Sequence, residues 1–440
     1  MIIQHFCNSF ISVSSGEELI LCDPWLGLAC HGGWHSFPIL DPKTISLKLA
    51  DPALVYISHL HTDHFSPTTL KLLASTNTSF LIKKFPNHKL RNAIRSLGFT
   101  KIIELDSFSP TKIGNFEFTI VPQAESNTSG LIDNINFDLD TSLIIREISS
   151  NKIFFNKVDN PLSISSLKAV RKFVESKMDS EIDVACVGSG AASEYPQCFP
   201  KLNRESLCSD YSLVSARRYV ESIDALGAGI SFPAGGRYAI SGRFCSLNRL
   251  VAQPTPALIN DVYSKLRPKI DSPVVYIEGG GSITVDRNSL EVNPKEFLEW
   301  QDQFSRYLSK IPYDYEGFGS YRENMTVINE VFPIARQNLE RFLQLKKIES
   351  FAHISFKIHE SISMDNATPL LDDNSSNVDL EPLGSATNSI EIHLESGALR
   401  GILDRRLIMN QIFSGSLTFQ IREPEFYDVT SVFALNYLHL

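Results

Sequence analysis

The chain has 440 residues, 43% hydrophobic and 21% charged, with a formal net charge of −9. That length exceeds one ordinary core and calls for more than one structural unit. The acidic balance argues against nucleic acid or an anionic membrane surface as partner, and no apolar run approaches the ~20 residues that span a bilayer. The opening MIIQHFCNSFISVSS lacks a basic segment and a cleavage pattern, so no signal peptide is expected and the cytoplasm is the expected location. Seven scattered cysteines without a C-x-x-C pair read as reduced, mostly buried thiols.

Residues 1–25 read as two strands, QHFCNSFISV and ELILCDPWL, around a Ser-Gly-Glu turn. A buried strand, ALVYIS, leads into SHLHTDH. The helix SPTTLKLLAS follows, with Ser66 as N-cap and Pro67 at its first position. The chain then alternates: strand SFLIKKF, helix HKLRNAIRSLGF, strands KIIEL, FEFTIVP, TSLIIREI and KIFFNKV, helix SISSLKAVRKFVESK, strand DVACVG. Residues 202–227 read as helix, GAGISFPAGG as strand and ALINDVYSKLR as helix. Strands mixed with crossing helices predict a layered α/β domain over 1–275. Two helical pieces, PKEFLEWQDQFSRYLSKI and VFPIARQNLERFLQLKK, mark a helical segment over 276–350. Residues 351–440 read as an α+β extension, with a loop or disordered stretch at 363–389, where Asp, Asn, Ser and Pro accumulate.

The chemistry concentrates at His59-x-His61-x-Asp63-His64. A strand-to-helix loop at the end of a sheet turns such side chains toward one point. Imidazole nitrogen and carboxylate oxygen suit zinc, iron or manganese. With two ligands for each of two ions, the cluster begins a dinuclear site. The other eight histidines show no comparable spacing.

SHLHTDH resembles the H-x-H-x-D-H signature of the metallo-β-lactamase superfamily. NSFISVSSGEELILCDPWL is similar to the first strands and Asp-Pro-Trp turn of one branch. That branch holds the hydrolase-like part of CMP-N-acetylneuraminate hydroxylase and relatives encoded with surface-polysaccharide genes. DPWLGLACHGGWHSFP, DTSLIIREISSNKIFFNKVDNPL, VACVGSGAASEYPQCF, ISFPAGG and FALNYLHL also resemble segments of that branch. The resemblance implies a four-layer αβ/βα sandwich with two divalent metal ions, zinc or iron with manganese as a third candidate, at one edge of the sheets. His59 and His61 would hold the first ion, Asp63 and His64 the second, and Asp159 would bridge them. Asp63 and Asp159 would also position the attacking water and carry its proton. The implied substrate is a small anionic molecule, a phosphorylated or nucleotide-linked sugar.

The pattern breaks at two histidines. Asn136 stands where the first would fall, and GGRYAISGRFCSLN contains none where the second is expected. Glu125, Asp133, Asp138 and Asp140 are candidate replacements, with Asp138 preferred; an oxygen-rich site would favour iron or manganese over zinc. His31 and His35 of the Gly-Trp insertion are alternative nitrogen donors. Arg237 and Arg243 are expected to read an anionic substrate group, with Trp34 and His35 lining its pocket. The Cys-x-His and Cys-x-x-His pairs of a Rieske cluster are absent from the sequence. Three readings compete: a metal-dependent hydrolase, an iron-dependent oxygenase fed by an outside electron source, and a binding protein on a decayed site.

Overall fold

In the strands that build the sandwich, residues alternate between two apolar environments. Ile20 and Cys22 pack on one side and Leu21 on the other; Leu54 and Tyr56 pack with the former, Val55 and Ile57 with the latter. A strand buried on both faces needs a layer on each, which dictates the architecture. The computed structural model describes residues 1–123, 140–190, 192–266, 273–371, 375–383, 387–424 and 429–440.

The first sheet has eight strands in the order Leu290–Asn293, Gly281–Val285, Ile2–Cys7, Phe10–Ser15, Glu18–Cys22, Leu54–Tyr56, Ser79–Lys83, Ile102–Leu105. Pairing is antiparallel up to Glu18–Cys22 and parallel beyond it. The second sheet runs Ile230–Pro233, Val184–Val187, Lys152–Asn156, Thr141–Glu147, Phe116–Pro122, Thr111–Ile113. The two sheets meet through Ile3, Ile11, Ile20 and Tyr56 against Phe118, Ile145, Phe154 and Phe232. Helices Pro42–Leu49, Pro67–Leu73 and Lys89–Ser96 cover the first sheet. Helices Ile164–Met178, Arg204–Leu226 and Pro256–Leu266 cover the second. This is the αβ/βα sandwich that the resemblance implies.

Four expectations change. The run to Cys22 forms three strands, because Asn8 adopts a left-handed φ of 46° and turns the chain between Cys7 and Phe10. The sandwich does not stop at residue 275, since Gly281–Val285 pairs with Ile2–Cys7 and carries Leu290–Asn293 beyond it. Residues 294–301 are not helical; only 302–308 are, ahead of the long helix Tyr321–Leu345 with its Ser320/Glu323 capping box. The stretch 363–389 holds a hairpin, Ser363–Asp365 with Thr368–Leu370, and the strand Ser376–Leu380, which pairs with His353–His359. There polar side chains face outward from short or edge strands, so composition alone looked like loop.

The extension is a four-stranded sheet in the order Ser376–Leu380, His353–His359, Ser389–Glu395, Phe419–Glu423, backed by Tyr321–Leu345. It is not a separate body. Its core includes Trp25, Ala29, Cys30 and Trp34 of the Gly-Trp insertion together with Phe199 and Phe244. At Gly33 an added Cβ would lie 2.3 Å from the carbonyl oxygen of Gly415, so only glycine permits this backbone approach. Among the described residues the seven cysteines are free thiols, and no helix is long and apolar enough to cross a membrane.

Candidate metal centre

Strand Leu54–Tyr56 ends at the histidine loop, and helix Pro67–Leu73 follows it. As the sequence predicts, Ser66 caps that helix by accepting from the Thr69 amide at 3.3 Å, with Pro67 at the first position. The neighbouring strand Glu18–Cys22 ends at Asp23. From the second sheet come Asp140, just before Thr141–Glu147, then Asp159 after Lys152–Asn156, and Gly235 after Ile230–Pro233. One edge of both sheets therefore supplies the site.

Asp23 organises the imidazoles. It is fully buried and sits at a left-handed φ of 43°. Its carboxylate accepts from the Ser58 amide at 2.8 Å and the Ser58 hydroxyl at 2.7 Å, and contacts His64 Nδ1 at 3.1 Å. Ser58 Oγ lies 2.9 Å from His59 Nδ1. Since the Ser58 proton points to Asp23, its oxygen accepts from His59 Nδ1–H. The network thus fixes the Nδ1–H tautomer of His59, orients His64 through its Nδ1–H, and turns the Nε2 of both rings to the site.

His59 Nε2 lies 2.8 Å from His61 Nδ1 and 3.5 Å from Asp140 Oδ1. His64 Nε2 lies 3.1 Å from Asp159 Oδ2 and 3.3 Å from Asp63 Oδ2. Among the described residues two trios are able to hold an ion, His59–His61–Asp140 and His59–His64–Asp159, each with its donor atoms within 4.8 Å of one another. His59 belongs to both. The donors are buried or half-buried and of mixed N/O chemistry, with the outer nitrogens of His59 and His64 already bonded, so they fit divalent transition ions.

Burial is the main influence on His59 and holds its pKa well below the ordinary imidazole range, helped by His64 and His61 beside it. Burial also works against charge on His64, but Asp63, Asp159 and Asp23 outweigh it and hold that pKa well above the ordinary value. Burial alone would raise Asp63; the adjacent His64 instead brings it down to about 2. Without metal, the site stores its proton on His64.

The structure brings together His59, His61, Asp63, His64 and Asp159. Asp140, one of the candidate replacements, joins them, its Oδ1 3.5 Å from His59 Nε2. The preferred replacement, Asp138, lies outside the described residues, as do Glu125, Asp133 and Asn136. Other expected roles change. Arg237 is buried; its guanidinium pairs with Glu278, donates to the Leu298 carbonyl and stacks 4.0 Å from the Phe297 ring centroid. Arg243 pairs with Glu395 and Glu316, which tie it to the extension. Trp34 stacks on Tyr238 inside the shared core, 3.9 Å between ring centroids, rather than lining a substrate pocket. His35 Nδ1 faces the Ser36 carbonyl at 2.8 Å, and its ring meets Tyr307 edge-on. His31 uses Nδ1 on Asp314 and Nε2 as acceptor for the Ile408 amide.

Several contributors escaped the sequence reading. Besides Asp23 and Ser58, Asn8 donates to Asp63 Oδ2 at 3.2 Å and accepts from the Gly235 amide at 3.0 Å. Gly235 has φ +85°, and a Cβ there would lie 3.1 Å from Asp159 Oδ1. Thr141 donates to the Ser58 carbonyl at 2.8 Å and contacts the Tyr56 hydroxyl at 2.6 Å, tying the Asp140 strand to the histidine loop. The Asp-Pro pair after a buried strand was the available signal for Asp23, and an Asn-Ser step inside a β pattern was the one for Asn8.

No protein-family model matches the chain. A putative Rieske 2Fe-2S iron-sulfur protein of Mycolicibacterium smegmatis is 36% identical over 104 residues, 23% of this chain and 20% of that protein. The cytidine monophosphate-N-acetylneuraminic acid hydroxylase of Gorilla gorilla gorilla is 30% identical over 161 residues, 36% of this chain and 25% of its own length. The chain therefore spans a quarter or less of these two relatives. Among solved structures, an isothiocyanate hydrolase from Delia radicum gut bacteria aligns over 65% of this chain and all of its own, with 12% identity and a TM-score of 0.43.

Proposed function

We propose that the protein is a two-ion, metal-dependent hydrolase acting on a phosphorylated or nucleotide-linked sugar. The observation that carries this reading is the shared position of His59 between two carboxylate-containing trios, with the Nε2 atoms of His59 and His64 pre-aimed through Asp23. His59, His61 and Asp140 would hold one ion; His64, Asp63 and Asp159 would hold the other. Bound ions would acidify water and draw charge from a substrate oxygen. Asp159, whose side chain is 27% exposed, is the carboxylate most open to incoming water and would take its proton at Oδ1, the oxygen not turned to His64. Asp63 is held by Asn8 and keeps its charge, its pKa being about 2. The substrate class rests on the resemblance and on the named activity of the hydroxylase relatives.

Asp140 favours a second reading, an iron-dependent oxygenase on a similar substrate. A carboxylate in place of an imidazole hardens the site and suits iron or manganese. Electrons would then come from outside the chain, since the cysteine–histidine pairs of a Rieske cluster are absent from its sequence. Metal analysis of gently purified protein is the test. Two zinc ions per chain with phosphoester or glycosyl-phosphate hydrolysis support the first reading. Iron with oxo-bridge absorption and oxygen uptake supports the second. A metal-free protein, unchanged by His59→Ala, removes both.

A further inference from the structure

Three ligands of the metal centre are braced from behind. His59 Nδ1 meets Ser58 Oγ at 2.9 Å, His64 Nδ1 meets Asp23 Oδ2 at 3.1 Å, and Asp63 Oδ2 accepts from Asn8 Nδ2 at 3.2 Å. Such outer partners fix the direction of a ligand, and their loss typically costs ~10–100-fold in metal affinity. Asp159 differs. Its Oδ2 lies 3.1 Å from His64 Nε2, a nitrogen that is itself a candidate ligand atom, and among the described residues no donor reaches its Oδ1.

A donor without an acceptor lies close by. Ser9 follows Asn8 in the turn between Ile2–Cys7 and Phe10–Ser15. It is 2% exposed, and its hydroxyl has no hydrogen-bond partner among the described residues. A buried hydroxyl left unpaired works against folding, and most such groups in native proteins have a partner. The point that a Gly235 Cβ would occupy is 3.1 Å from Asp159 Oδ1 and 3.5 Å from Ser9 Oγ, with the Gly188 Cα 3.8 Å away. Both oxygens therefore border one small gap, and the two glycines beside it put no side chain there. The Gly235 amide donates to the Asn8 carbonyl at 3.0 Å, which keeps this gap in register with the Asn8–Ser9 turn.

We propose that the Ser9 hydroxyl is the outer donor of Asp159, a positioning residue that engages Oδ1 when the carboxylate turns from His64 toward an ion. One lone pair of Oδ1 takes the Ser9 hydrogen bond, and the other stays open to the proton of incoming water. The inference rests on the metal-centre reading and extends it to the group behind Asp159.

Ser9→Ala tests it, by melting temperature with and without zinc and by chelator competition for zinc. Stripped of metal by a chelator, the variant should melt no lower than the wild type, because the hydroxyl it loses has no partner to give up. With zinc, its melting temperature should rise by less than that of the wild type, and affinity for one of the two zinc ions should fall about tenfold. A variant that melts lower without metal, or fails to fold, gives Ser9 a structural role and overturns the proposal. Equal or tighter zinc binding by the variant overturns it as well, and leaves the metal-centre reading standing. A wild-type protein that takes up no zinc overturns both together, since a site for iron or manganese also accepts zinc.

Discussion

The near wall of the metal centre is a single run, His59 to His64, braced by Asp23 and Ser58 directly behind it. The far wall gathers Asp140, Asp159 and Gly235 from three strand ends of the other sheet. Loop-to-helix geometry and one buried carboxylate hold the near wall. The far wall has no such local frame; Thr141, Asn8 and the Gly235 turn hold it through tertiary contacts. A site of this kind is rigid where its ligands are contiguous and open to ligand exchange where they are not.

Breaking the near wall should have the largest effect on metal. His59→Ala removes the member common to both trios, so the His61–Asp140 ion should be lost and the His64–Asp63–Asp159 ion weakened, leaving at most one ion per chain by elemental analysis. Asp140→Ala should lose one ion and keep the other; loss of both would mean that the walls are not separable. Asp23→Asn keeps the shape but weakens the anchor of both imidazoles, and metal affinity should fall by ~10–100-fold in chelator competition.

A smaller effect comes from pH. His64 holds its proton above its ordinary pKa, and an ion must displace that proton. Affinity should therefore rise by up to about tenfold per pH unit while His64 remains protonated, then level off above its pKa. Calorimetry from pH 6 upward checks this, and a flat profile would remove His64 as the proton store. The smallest effect on metal should be that of Arg237→Met. It leaves the half-buried Glu278 without its partner, which costs about 3 kcal/mol or less of stability in denaturant unfolding with metal content unchanged. A change in substrate affinity with stability intact would return Arg237 to substrate recognition.

The two walls also divide what was legible in the sequence. The near wall could be read because its chemistry is local: a buried strand, closely spaced ligands and a capped helix follow one another. Asp159 was reached through resemblance. Arg237 and Arg243 were misread because their positions in the chain resemble a ligand segment, whereas their partners Glu278, Glu316 and Glu395 come from distant stretches that spacing does not connect. Trp34 went the same way, since its partner Tyr238 lies on a strand far along the chain that pairs with its own. The layered fold was visible from the alternation of strands and helices. The continuation of the first sheet past residue 275 was not, because Gly281–Val285 joins a strand from the other end of the sequence.

The core shared by the insertion and the extension has a consequence for the order of synthesis. Cys30, in the insertion, donates its amide to Thr62, inside the histidine loop, at 3.0 Å. The insertion is held in turn by Asp314, Ile408 and Gly415. A ribosome thus delivers the metal ligands early and the residues that clamp their flank last. Until the extension emerges, the apolar residues of the insertion lack part of the core that covers them, the kind of surface through which incompletely folded chains associate.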